Sequence, residues 1–191
     1  MKVKQETKGF SLIELMVVVG VMMVIGAFAA PSVLRSLRTY RLNETTREVA
    51  NMLQQTRYQA ISLNRTAPPL SCRLGNIGTR ITVYVDLNNN TRWDPNEPVA
   101  IMPSDLQFST AGAPSTASMN LGATTFPAGA ISFNARGTVS FPVGVVPATL
   151  VVILTYPNQP TYGFRAISVT PVGKTKIWSA DSGAGGVWHS Q

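Results

Sequence analysis

A single carboxylate stands at the start of the most apolar stretch of the chain. After Glu14, residues 15–34 contain no ionisable side chain. At 1.5 Å per residue, a helix of that length is about 30 Å long and can cross the hydrocarbon core of a bilayer. A carboxylate in such a helix costs at least a few kcal/mol, so Glu14 requires a partner that neutralises it.

The residues before Glu14 offer a chemical route to that partner. Cleavage of the peptide bond between Gly9 and Phe10 would create a free α-ammonium group on Phe10, which could pair most simply with Glu14 of a neighbouring subunit. The preceding segment, residues 1–8, carries three lysines. Lysines before the span and a polar body after it orient the N-terminus to the cytoplasm and the body outside.

Two other interpretations of the apolar segment stay open. A secretory signal peptide has a basic start, an apolar middle and a small residue on each side of a cleavage site, which Ala27-Phe28-Ala29 could supply. A plain transmembrane anchor needs only the apolar run. Neither interpretation explains Glu14. A mature N-terminus at Phe10 would support cleavage after Gly9, and a mature N-terminus at Ala30 would refute it.

The segment Lys8-Gly9-Phe10-Ser11-Leu12-Ile13-Glu14 resembles the class III signal of type IV prepilins and pseudopilins. The resemblance implies that a prepilin peptidase removes residues 1–9 and methylates Phe10, and that Glu14 pairs with an adjacent subunit during assembly. It also implies a single-pass inner-membrane precursor with its body in the periplasm, which later enters an extracytoplasmic filament. The implied partners are other pilin or pseudopilin subunits, the peptidase and an inner-membrane assembly platform.

The helical pattern continues beyond the apolar segment. Seven residues recur at alternating steps of four and three and predict a face that docks on a sheet: Leu42, Thr46, Val49, Leu53, Thr56, Ala60 and Leu63. Pro31 predicts a kink or local melting, and Pro68-Pro69 predicts the end of the helix. The expected organisation is a leader (1–9), a transmembrane and assembly half-helix (10–34), an amphipathic half-helix (35–66) and a β-rich body (67–191).

From Arg80 onward the apolar residues alternate with a period of two, as in half-buried strands. The predicted strands are 80–86, 99–102, 131–134, 138–141, 149–156, 164–170 and 176–178. The segment from Ser109 to Ala128 is rich in Thr, Ala, Ser and Gly and is predicted to be a mobile loop. The expected fold class is α+β, with one long helix on a largely antiparallel sheet, which is the type IV pilin fold that the signal resemblance implies.

Two short segments, 131–138 and 167–176, resemble the FimT/GspH branch of minor pilins and pseudopilins. Membership would imply a subunit of a type IV pilus or of a type II secretion pseudopilus. Some FimT-like proteins bind DNA through a Gly, basic, any residue, basic pattern, which Gly173-Lys174-Thr175-Lys176 resembles. Lys174 and Lys176 are therefore candidate DNA-binding residues for DNA uptake, with salt-sensitive phosphate contacts, and a solvated turn is the alternative.

The Asn-rich segment 86–97 resembles a calcium-binding loop. Oxygen-bearing side chains occupy loop positions one, three, five, nine and twelve of an EF-hand-like pattern: Asp86, Asn88, Asn90, Asp94 and Glu97. Thr91 stands where the sharp turn requires Gly, and the loop follows a strand rather than a helix. Calcium is thus a candidate cofactor, and an Asn-rich hairpin turn is the alternative.

Composition argues against an enzyme and leaves three classes of function. The nine acids, the single histidine and the single cysteine do not form a pattern of nucleophile, base and orienting group, and Cys72 cannot form an intrachain disulfide. The formal charge of +7 suits anionic lipid headgroups as well as DNA. The remaining classes are a filament subunit, a DNA-binding uptake factor and an extracytoplasmic body on an uncut anchor.

Overall fold

The structure is a computed structural model that describes residues 9–77, 80–127, 129–156, 160–181 and 185–191, so the leader residues 1–8 lie outside it. Its contacts divide the chain into two units, Met1–Arg38 and Thr39–Gln191. Helix α1 spans Leu12–Ser62. The strands are β1 (Leu70–Ile77), β2 (Arg80–Asp86), β3 (Val99–Ile101), β4 (Gln107–Phe108), β5 (Thr124–Thr125), β6 (Ala130–Phe133), β7 (Thr149–Thr155), β8 (Phe164–Val169), β9 (Thr175–Ala180) and β10 (His189–Ser190).

The first unit consists of the apolar part of α1 and the residues that lead into it. The helix begins at Leu12 and continues through Pro31 without interruption, so the local melting predicted at that proline is not found. The most apolar 18-residue window has a mean hydropathy of 2.5, and none of it is buried. A helix of this length and composition can cross a membrane.

In the second unit, the remainder of α1 packs on the sheets through the predicted face. Leu42, Val49 and Leu53 are fully buried. The two threonines in the face stay compatible with burial because the Thr46 hydroxyl donates to the Leu42 carbonyl and the Thr56 hydroxyl donates to the Met52 carbonyl. The predicted amphipathic helix is therefore confirmed in this part of the chain.

The helix ends before the two prolines that were predicted to stop it. Asn64 adopts a left-handed conformation with a φ of 48°. The Arg65 amide then donates to the Ala60 carbonyl at 3.0 Å, which closes the last turn as in a Schellman motif. Leu63 consequently lies beyond the helix and is exposed, unlike the other residues of the predicted face.

The body contains two sheets. One has the order β3-β2-β1-β6, and the other has the order β10-β9-β8-β7-β4. All pairings along these two orders are antiparallel, and β5 adds a short parallel pairing to β7. The predicted α+β class and the type IV pilin fold are confirmed.

Two apolar clusters fill the body. The larger one joins the helix to both sheets and includes Leu53, Phe133 and Leu154. The smaller one covers the other face of β7 and β8 and includes Val151, Phe164 and Trp188. Because both faces of β7 are covered, all seven of its residues are buried, as its continuous apolar sequence predicts.

Strand β1 was missed, and a strand predicted at 138–141 is absent. Within the described residues, that segment makes only one isolated bridge, between Phe133 and Val139. The Ser140 amide donates to the Ser132 carbonyl of β6 at 2.8 Å, and the Val139 amide donates to the Pro171 carbonyl at 2.9 Å, so this segment lies between β6 and the turn after β8.

The segment from Ser109 to Ala128, predicted to be a mobile loop, contains ordered elements that cover the smaller cluster. A 3-10 helix spans Thr116–Met119, and its N-cap Ser115 accepts a bond from the Ala117 amide. Trp188 fastens this segment to the end of the chain, since its indole nitrogen donates to the Pro114 carbonyl at 3.2 Å.

Candidate functional site

The predicted processing residues lie together at the beginning of the helix. Gly9 and Phe10 precede the first helical residue and are not helical themselves. Glu14 lies in the first turn of α1, where the helix dipole favours a negative charge. The structure thus presents a non-helical bond between Gly9 and Phe10, followed one turn later by a carboxylate.

The helix after Glu14 exposes its apolar side chains in every direction. Phe28 is 82% exposed, and Met22, Met23 and Ile25 are each more than half exposed. Exposed apolar surface of this extent marks a membrane or protein interaction site. Lipid or another protein surface must cover it.

The candidate calcium residues also lie close to one another, and Asp86 is the most buried of them. Arg73 on β1 donates its Nε to Asp86 Oδ2 at 2.5 Å. The Asn90 amide donates to Asp86 Oδ1 at 3.1 Å, and the Thr91 amide donates to Oδ2 at 3.0 Å. Both carboxylate oxygens of Asp86 therefore accept protein hydrogen bonds.

The other loop residues are held in the same way. Glu97 accepts the Leu87 amide through Oε1 at 2.7 Å and the Asp94 amide through Oε2 at 3.0 Å. Asp94 Oδ2 accepts side-chain amides from Asn88 at 2.5 Å and from Asn90 at 2.8 Å. These bonds fold the loop as a hairpin connection between β2 and β3.

This arrangement does not fit a calcium ion as it stands. A calcium ion binds six to eight oxygens, and the oxygens it would use here accept bonds from amides and from the Arg73 guanidinium. Among the described residues, no group of three or more His, Cys, Asp or Glu side chains is placed to hold a metal. Arg73 supplies the positive charge beside Asp86 that a cation would otherwise supply.

Tyr84 supports the same loop from β2. Its hydroxyl donates to the Thr91 carbonyl at 2.8 Å. Burial raises the pKa of Tyr84 above its ordinary value, so the hydroxyl keeps its proton and remains a donor. Thr91 itself has a φ of 67°, which is the conformation that made glycine the expected residue at this position.

The candidate DNA-binding lysines lie at the hairpin between β8 and β9. Lys174 and Lys176 are both exposed. The Lys174 amide donates to the Thr170 hydroxyl at 3.1 Å, and the Thr170 amide donates to the Lys174 carbonyl at 2.9 Å. The Lys176 ammonium lies 4.4 Å from the centroid of the Trp178 ring, a cation–π geometry.

Gly173, the first residue of the same pattern, has a structural role. Its φ of 81° and its surroundings exclude a side chain, because an added Cβ would collide with the Gly137 carbonyl oxygen. Arg57 on α1 donates its Nε to that oxygen at 2.9 Å. Gly137 and Gly173 thus bring two turns against one another beneath Arg57, and we call this group the two-turn contact.

Cys72 and His189 take no part in these sites. Cys72 is fully buried, and burial raises the pKa of its thiol to about 12, so the thiolate is scarce at neutral pH. His189 lies in β10 and is exposed.

Comparison with known proteins decides the family. The model of the family described as "Type II transport protein GspH" matches residues 45–173. The chain belongs to the GspH family. The model described as "Prokaryotic N-terminal methylation motif" matches residues 5–30. No curated protein and no solved structure was found to match the chain.

The two matches cover different candidate residues of this GspH-family chain. The methylation motif includes Gly9, Phe10 and Glu14, and the GspH match ends at Gly173. Both are typical of type IV pilin-like pseudopilins, which are structural subunits rather than enzymes. The chain is therefore a pseudopilin or minor pilin with an N-terminal membrane anchor and a globular body.

Sequence reasoning missed two arginines of this GspH-family body. Arg73 went unnoticed because β1 was not predicted, so no neighbouring strand was available to bring a cation to Asp86. Arg57 lies 80 residues from Gly137 along the chain, and its contact depends on the fold. The resemblance of segments 131–138 and 167–176 to one branch of the family was the only available signal, since these segments contain the two glycines of the two-turn contact.

Proposed function

We propose that this chain is a minor pilin or pseudopilin that is inserted in the inner membrane as a single-pass precursor and assembled into a type IV pilus or a type II secretion pseudopilus. Its body lies in the periplasm until assembly. The observation that carries the proposal is the placement of Glu14, in the first turn of a helix whose following apolar residues are exposed. A structural subunit needs such a surface, because filament neighbours replace lipid around it.

The chemistry begins with hydrolysis of the bond between Gly9 and Phe10 by a prepilin peptidase. Hydrolysis releases residues 1–9 and leaves an α-ammonium group on Phe10, which the peptidase then methylates. Glu14 of an adjacent subunit neutralises this positive charge. Pairing favours entry into the filament, since either charge alone is costly in an apolar environment.

Three kinds of partner follow from this proposal. The peptidase acts on the precursor, an inner-membrane assembly platform lifts the processed chain, and other pilin or pseudopilin subunits surround the apolar half of α1. Family membership supports the last group most directly, because GspH-family proteins are subunits of larger machinery.

N-terminal sequencing of the chain recovered from cells tests the processing step. The expected product starts at methylated Phe10 in cells that contain the peptidase and at Met1 in cells that lack it. A start at Ala30 would identify a secretory signal peptide, and Met1 in both backgrounds would identify a body tethered by an uncut anchor. Either result would contradict the proposal.

A second candidate function is DNA binding for uptake. The exposed positions of Lys174 and Lys176 at one hairpin favour it, because two ammonium groups there can reach phosphates. The structural role of Gly173 favours the alternative of a solvated turn. A DNA-binding site and a solvated turn therefore differ in whether loss of the two lysines weakens DNA binding.

Gel retardation of a DNA duplex at low salt tests this second function. If it is correct, Lys174→Ala together with Lys176→Ala abolishes retardation. Arg92→Ala together with Arg136→Ala is the matched control, because both arginines are exposed and their loss removes the same charge. Equal weakening by both pairs would indicate nonspecific attraction to a basic protein, and unchanged binding by the lysine pair would remove this site.

A further inference from the structure

Two arginines mark the end of the apolar span. Arg35 and Arg38 follow residues 15–34, which lack any ionisable side chain. Arg35 is exposed and Arg38 is partly exposed, beside the exposed Leu34 and Leu37. The first unit of the chain therefore ends in two cations set among apolar side chains.

The spacing of these arginines suits a phosphate group. Residues three apart on a helix are surface neighbours, with Cβ atoms about 5–6 Å apart. Each guanidinium presents a planar fork of donors that matches phosphate oxygens. Ser36 lies between them and donates its hydroxyl to the Ser32 carbonyl at 3.1 Å. The two guanidinium groups are the cations on this turn.

Their place relative to the membrane is unusual. Arginines and lysines beside a span are normally concentrated on the cytoplasmic side. In the orientation proposed above, Arg35 and Arg38 lie on the opposite side. Removal of residues 1–9 takes away three lysines, and residues 10–34 contain no arginine or lysine. In the processed chain, the arginines beside the span therefore lie on the non-cytoplasmic side of the membrane, and residues 10–34 add no basic side chain on the cytoplasmic side.

We propose that Arg35 and Arg38 form a binding site for the phosphate of anionic phospholipids at the non-cytoplasmic surface of the membrane. The site holds the span at a fixed depth, with residues 15–34 in the hydrocarbon core and the guanidinium groups among the headgroups. The side of the membrane rests on the proposed function, whereas lipid binding by the two arginines does not.

Native mass spectrometry of the full chain in mild detergent tests the site. The probe is an equimolar mixture of phosphatidylglycerol and phosphatidylcholine. The wild-type chain is expected to retain phosphatidylglycerol preferentially, and Arg35→Gln with Arg38→Gln is expected to lower that preference roughly tenfold. Arg92→Gln with Arg136→Gln removes the same charge from the exposed surface of the body and should keep the preference.

Further arms separate the site from its alternatives. Arg35→Lys with Arg38→Lys should retain part of the preference, because the charge remains while the planar fork is lost. Retention of the full preference by the double glutamine variant would overturn the proposal. Displacement of the lipid by inorganic phosphate or by a short DNA duplex would also overturn it, the first indicating a free-phosphate site and the second a nucleic-acid surface.

The test is independent of assembly. If the processed N-terminus starts at Phe10 but the glutamine variant keeps its lipid, only the lipid site is refuted. If the arginines select phosphatidylglycerol but the chain is never processed, the binding site stands and the proposed function fails.

Discussion

The two units of the chain treat their charges and apolar surfaces in opposite ways. In the body, Asp86 is paired with Arg73, Glu97 accepts two amides, and the apolar residues are gathered in two clusters. In the first unit, the apolar side chains are exposed, and the Glu14 carboxylate makes neither a hydrogen bond nor an ion pair with another described residue. A region that satisfies its own groups is stable by itself, whereas a region that does not requires other molecules. The function is therefore inferred most directly from the first unit, whose exposed groups require partners.

Neutralising Glu14 should give the largest effect. In Glu14→Gln, the shape of the side chain is kept, and the charge that we propose pairs with the processed N-terminus of a neighbour is lost. We expect incorporation into sheared filaments to fall at least about tenfold, which corresponds to about 1.4 kcal/mol. The measurement is immunoblotting of filament and membrane fractions at equal expression.

Glu48→Gln is the control for that experiment, since Glu48 is an exposed acid on the body's part of the helix. Its incorporation should match the wild type. Normal incorporation of Glu14→Gln would show that the first unit does not depend on this charge, and the contrast between the two units would lose its basis.

Loss of Arg73 should give the next largest effect, and it falls on the body. Arg73→Met keeps much of the side-chain length but leaves the fully buried Asp86 carboxylate without its cation. Loss of one partner of a buried pair costs about 3–5 kcal/mol. Thermal unfolding of the full chain in mild detergent, followed by tryptophan fluorescence, should show a melting temperature lower by several degrees.

Arg92→Met is the matched change in the same loop. Arg92 is exposed, and its loss should alter the free energy of unfolding by less than about 0.5 kcal/mol. Similar melting temperatures for the Arg73 and Arg92 variants would contradict the view that the body neutralises its own buried charge.

A smaller effect is expected at the two-turn contact. In Gly173→Ala, the new Cβ would collide with the Gly137 carbonyl oxygen and the strained φ of 81° would remain. Gly144→Ala has a similar φ of 86° but open space around the added Cβ. We expect Gly173→Ala to cost about 2–3 kcal/mol and Gly144→Ala about 1 kcal/mol. Equal losses in chemical denaturation would indicate that the conformation alone, and not the close approach, requires glycine at position 173.

The features that could be predicted from the sequence are those that depend on residues close together in the chain. The long helix, its buried face and the apolar strand β7 follow from local periodicity, and the residues from Gly9 to Glu14 follow from local spacing. Arg73 and Arg57 act on residues distant in sequence, so no local pattern contains them. Strand β1 was missed because Gly75 and Asn76, which are typical of turns, interrupt its alternation, and the strand predicted at 138–141 was wrong because its pairing with β6 is limited to a single bridge at Val139.

Calcium addition should give the smallest effect. Calcium binding to residues 86–97 stays a prediction, and the structure sets a condition for it: Asp86 would have to release Arg73 and two amides before its oxygens could bind the ion. We therefore expect the wild-type melting temperature to change by less than about 1 °C at roughly 1 mM calcium, the weak end of protein affinities. A rise of several degrees that EDTA reverses would show that the ion binds the folded loop. The Arg73→Met variant sharpens this test, because its Asp86 lacks a cation: stabilisation of that variant alone would show that arginine and calcium compete for the same carboxylate.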